Sequence, residues 1–148
     1  MKGGSKIEKL KNLKEVEVPA LACITCGQCR NPIWPSKDRF GVCPIYSTDF
    51  TPKFEAFYAR GKNIIIRGLL WGDLPLSFDI ANVFFQCTNC GSCEEFCHNS
   101  YNKNIRFLNH KWIENVKVYE ALRADLVEAG VKEVGVFFVI ENKRPGQS

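Results

Sequence analysis

Apolar residues recur at helical spacing through much of the chain. Trp112, Val116, Tyr119, Leu122, Leu126 and Ala129 follow one another at intervals of three and four, which predicts a helix over 109–130 with these residues on one face and Gly130 as its stop. Ser77 is placed to cap a helix running through Phe85 into Cys87. Helical segments are expected near 52–60 and 63–71, punctuated by Gly61, Gly72 and Pro75. Near the start, Ile7, Leu10 and Leu13 among Lys and Glu suit a short amphipathic helix, read as a solvated tail or surface helix, with a docking arm as the alternative. EVGVFFVI at 133–140 has the residues of a strand but is apolar on every side, as a buried or partner-facing helix would be. The aromatic residues Phe50, Phe54, Phe57, Tyr58, Trp71 and Phe78 are expected to pack as a dry wall rather than bind a substrate.

Composition narrows the class. A chain of 148 residues with 45% apolar residues is ordinary for one soluble globular domain with tails. No run of 18 or more apolar residues exists, so no membrane span is expected. The net charge of +4 is too small and too dispersed to imply nucleic acid. Eight cysteines in a short chain suit a secreted disulfide scaffold, but residues 1–18 lack the apolar core of a signal peptide and the cysteines are packed in triplets at one spacing. A reducing, cytoplasmic setting is expected.

Those triplets carry the chemistry. The first block is Cys23, Cys26 and Cys29, then Cys43 followed by Pro44; the second is Cys87, Cys90, Cys93 and Cys97. Three thiolates at two-residue intervals can hold three corners of an iron–sulfur cubane, and a fourth Cys further along completes the other cluster in two-cluster ferredoxins. That crossed pattern predicts Cys23, Cys26, Cys29 and Cys97 on cluster one and Cys87, Cys90, Cys93 and Cys43 on cluster two. Gly27 and Gly91 each follow the second Cys of a triplet, where the lack of a Cβ lets backbone amides approach the cluster sulfides. Zinc is the main competitor, but a third Cys at the same interval has no role in a tetrahedral site. His98 and His110 are read as surface, capping or outer-sphere residues, and no glycine-rich phosphate loop appears. The loop 30–42, with Trp34 and Phe40, is a candidate lid over a cluster.

CITCGQC at 23–29, CPIY at 43–46, ARGK at 59–62, RGLLWGDLP at 67–75, CTNCGSCEEFC at 87–97 and ALRADLVEAG at 121–130 fall in an order that resembles the α-helical ferredoxin domain of the heterodisulfide reductase C subunit. Similar domains occur in iron–sulfur subunits of glycolate oxidase, lactate-utilisation enzymes and anaerobic glycerol-3-phosphate dehydrogenase, and more distantly in succinate dehydrogenase and fumarate reductase iron–sulfur proteins. Two departures stand out. Thirteen residues separate Cys29 from Cys43 where such runs usually have three, and His98 stands where Pro is usual.

The resemblance implies a mainly α fold, an α-helical ferredoxin with two cluster-binding loops and little or no sheet. Its expected divisions are 1–18 as N-terminal tail or docking helix, 19–130 as the dicluster domain, and 131–148 as an apolar segment and tail. Because the chain ends before the cysteine-rich catalytic region of fused relatives, it is expected to be a non-catalytic electron-transfer subunit of an oxidoreductase complex. Two [4Fe–4S] clusters would relay single electrons between a flavin- or cluster-bearing subunit and a heterodisulfide-reductase-like partner or a quinone-type acceptor. Neither nucleic acid nor a transmembrane segment is expected, and any membrane association would be peripheral, through a partner. A free ferredoxin-like carrier is the alternative, and a zinc-stabilised interaction module a third reading.

Overall fold

The computed structural model describes residues 10–27, 29, 42–47, 54–99 and 113–131. Over these the chain is helical, with no strand. The helices are α1 (Lys11–Glu15), α2 (Glu17–Leu21), α3 (Pro44–Ser47), α4 (Ala59–Leu70), α5 (Phe78–Phe85), α6 (Ser92–Asn99) and α7 (Asn115–Glu128), with a 3-10 turn at Glu55–Phe57 before α4. The lid loop 30–42 apart from Val42, the segment 133–140 and His110 lie outside the described residues, as do residues 109–112 of the expected last helix.

The frame is built on α4 and α7. The α1 helix packs on α7, α2 on both α4 and α7, and α5 on both as well. Ile66 and Leu69 of α4, Phe84 of α5 and Val118, Tyr119, Leu122 and Leu126 of α7 form the centre of one apolar cluster. Phe84 meets Tyr119 edge to face, with centroids 5.4 Å apart, the geometry aromatic quadrupoles favour. Truncating Leu122 or Leu126 to Ala here would cost about 2–5 kcal/mol.

Two expectations are corrected. The amphipathic helix near the start is not a solvated tail: Leu10, Leu13 and Val16 are at most 7% exposed and join the core. The reason lies on α7, where the fully buried Asp125 carboxylate accepts the backbone N–H groups of Asn12 and Leu13, both at 2.9 Å. It thereby caps α1, whose own N-cap residue, Leu10, has no side-chain acceptor. Pro19 is held inside a helix as well. It lies within the first turn of α2, where its missing N–H is tolerated.

Second, Gly61 does not punctuate two helices. It lies inside α4, because a Cβ there would come within 2.0 Å of the Glu55 carbonyl oxygen and the 3-10 turn packs directly on this face. The Ser77 cap is as expected, its hydroxyl accepting the Ile80 N–H at 3.3 Å. The last helix spans Asn115–Glu128 in the described region.

Candidate functional site

The two triplet loops repeat one backbone conformation. Thr25 and Asn89, each just before the second Cys, have φ of 60° and 56°; Gly27 and Gly91, each just after it, have φ of 77° and 75°. Asn adopts the left-handed region readily, whereas a β-branched Thr does so only under strain, the kind of cost found where a backbone is held for function. This turn curls the three cysteines of each loop round one side of the chain.

Each loop is held by one long helix in the same way. Arg67, the ninth residue of α4, donates to the carbonyl of Cys23, and Arg123, the ninth residue of α7, donates to the carbonyl of Cys87. Arg123 also donates to the Phe84 carbonyl, at 2.7 Å. The second residue of each helix faces the loop glycine: a Cβ on Gly27 would strike the Arg60 guanidinium, and one on Gly91 would lie 3.5 Å from Val116. Periodicity alone did not reveal these arginines, although both sit at the same offset within their helices.

The thiols surround space rather than a point. Cys43, Cys87, Cys90 and Cys93 line one cavity together with Cys29, Ala59, Lys62, Val116 and Tyr119. Among the described residues no three His, Cys, Asp or Glu side chains converge closely enough to share one metal ion. A four-cysteine zinc site needs all four sulfurs at about 2.3 Å from a single ion. All eight cysteines are free thiols.

The charges that press on each thiol identify its neighbours. Burial pushes the Cys97 thiol up to about 11, and the next contributions come from Cys23, Cys26 and Cys93. Cys93 is raised to about 11 by burial against an opposing hydrogen bond from Asn115, with Cys87, Cys43 and Cys90 adding to the rise. Cys29 reaches about 12 through burial and the proximity of Cys93. Cys43 thus shares a cavity with Cys29, Cys87, Cys90 and Cys93, and Cys97 feels Cys23, Cys26 and Cys93.

Several groups fit a sulfur-rich cluster at these thiols. The Tyr119 hydroxyl is buried at the cavity without a partner among the described residues, a donor in want of an acceptor. The Asn115 amide donates to Cys93 Sγ at 3.4 Å, and the Thr25 N–H to Cys23 Sγ at 3.4 Å, bonds that favour a thiolate. His98 is exposed, with Nε2 2.8 Å from the Ile113 carbonyl oxygen, which places it against the backbone rather than among the thiols.

Among the described residues the chain is helical and carries two triplet thiol loops of one conformation, the pattern of a protein that binds iron–sulfur clusters. The chain matches the 4Fe-4S dicluster domain over residues 19–101, more than half its length, and belongs to that family. A [4Fe–4S]-binding, electron-transfer role goes with membership. Neither the curated proteins nor the solved structures contain a match. Among the described residues no helix is long and apolar enough to cross a membrane.

Proposed function

We propose that the protein is an electron-relay subunit that holds two [4Fe–4S] clusters by crossed ligation, one through Cys23, Cys26, Cys29 and Cys97 and the other through Cys87, Cys90, Cys93 and Cys43. The observation that carries this reading is the meeting of Cys43 with Cys87, Cys90 and Cys93 around one cavity, across a long stretch of sequence. The electrostatic proximity of Cys97 to Cys23 and Cys26 supports the other set. When bound, the clusters supply one-electron oxidation and reduction. The chain's own part is to bury them, donate hydrogen bonds to their sulfurs, and hold Cys29 and Cys93 side by side so that the electron path between the two sites is short.

On this reading residues 19–130 hold both clusters in a cytoplasmic complex. Residues 131–148 serve a partner, and the electrons pass to or from a heterodisulfide-reductase-like catalytic subunit. The exposed Ile24, within the first triplet loop, and the nearby Arg67–Trp71 pair favour docking close to the first site over free diffusion. Two experiments test the proposal. Single Cys→Ser variants should group by cluster: Cys97→Ser should disturb the same EPR signal as Cys23→Ser, and Cys43→Ser the same signal as Cys87→Ser. The opposite grouping would refute the crossing. Gentle native purification should recover the chain with partner subunits, whereas a lone redox-active monomer would favour the diffusible carrier.

A further inference from the structure

The two halves of the site share an arginine clamp at the ninth helix position, and they differ in a buried charge at the fourth. Position four of α4 is Lys62; position four of α7 is Val118. Both are 1% exposed. Val118 belongs to the apolar core, whereas Lys62 lines the cavity of Cys43, Cys87, Cys90 and Cys93. The Lys62 ammonium donates to the Phe57 carbonyl, which Cys43 Sγ also approaches at 3.6 Å. Burial pushes its pKa below the ordinary lysine value; the thiols of Cys87, Cys43 and Cys93 push it back up and Arg123 pushes it down, with no carboxylate among these influences. A buried cation without a carboxylate is rare and costly unless an anion answers it.

Among the described residues the other cations beside the triplets do not place a second buried charge in that cavity. Arg67 and Arg123 occupy equivalent places, one at each triplet, so their effects are matched. Arg60, beside the first triplet, is partly exposed and paired with Glu55.

Resting on the two-cluster reading above, we propose that Lys62 is the potential-setting residue of the second site: it makes the cluster of Cys87, Cys90, Cys93 and Cys43 the easier of the two to reduce and so gives the relay its polarity. A reduced cluster carries one more negative charge, so a fixed buried cation favours the reduced state and raises that potential. Its counterpart Val118 gives the first site no such help.

The test is an EPR-monitored redox titration of the anaerobically loaded, full-length protein, with iron and sulfide assayed on every sample. Lys62→Met and Lys62→Gln should lower the potential of one cluster by a tenfold or greater change in its reduction equilibrium, about 59 mV for one electron, and leave the other in place. Lys62→Arg should stay near wild type. If the neutral variants lose iron and Lys62→Arg retains it, the cation holds the cluster rather than setting its potential, and the proposal is overturned. Unchanged potentials in fully loaded Lys62→Gln would overturn it, as would Lys62→Arg behaving like Lys62→Met. A wild-type chain that binds no iron would instead remove the two-cluster reading itself.

Discussion

Thiols of one loop sit in opposite settings. At Cys93 burial dominates and lifts the thiol to about 11. At Cys90 burial also raises the pKa, but hydrogen bonds from Ser92 and Thr88 outweigh it and the net shift is downward; the Ser92 oxygen lies 3.3 Å from Cys90 Sγ. The cysteines were legible in sequence because their spacing is the signal. The polar residues that serve them were not: Lys62, Asn63, Asn115 and Asp125 are all buried, and a pattern read from apolar residues passes over them. Asn63 and Asn115 bond to each other at 3.0 Å, joining α4 to α7 beside the thiols, a pairing visible only once the helices are packed.

The helices depend on groups supplied from elsewhere in the chain. Asp125 of α7 caps α1, and Glu94 of α6 accepts the Val116 N–H at 3.1 Å in the first turn of α7, whose own N-cap residue makes no side-chain bond. Asp125→Ala would leave two α1 amides unsatisfied in the core and should cost about 3 kcal/mol in urea unfolding. A loss under about 0.5 kcal/mol would mean that α1 is not held by this carboxylate. Such caps explain why the start of the chain was misread: local signals near Leu10 are weak, and the stabilising group lies over a hundred residues away.

Gly61 was misread for a related reason, since glycine marks close approach as well as chain breaks. Gly61→Ala gains about 1 kcal/mol of helix propensity but presses a methyl 2.0 Å from backbone oxygen, a clash at or above the top of the usual overpacking range of about 1–3 kcal/mol. The net result should be destabilisation. Gly68→Ala meets only the Leu74 side chain at 2.8 Å, which is partly exposed and can swing away, so it should be near neutral. Denaturant midpoints of the two variants make the comparison; equal midpoints would contradict the packing described.

At the scale of the whole molecule, crossed ligation makes cluster binding and folding one event, because each cluster would tie the N-terminal triplet or Cys43 to the second block. Removing iron by chelation under reducing conditions should therefore lower the helical circular dichroism signal and the cooperativity of unfolding together. A chain that kept both would show that its core alone closes the fold. The last helix, the capped helix before Cys87 and the dicluster family were legible in sequence, while the repeated clamp by Arg67 and Arg123, and the buried charge at Lys62, required the packed structure.

The central claim is two adjacent cubanes in one chain. Iron and acid-labile sulfide analysis with low-temperature EPR, on protein purified and reconstituted without oxygen, tests it most directly. The account predicts about eight iron and eight sulfide per chain, with the fully reduced signal broadened by interaction between neighbouring spins. Zinc in place of iron, iron for one cluster only, or two signals with no interaction would contradict it.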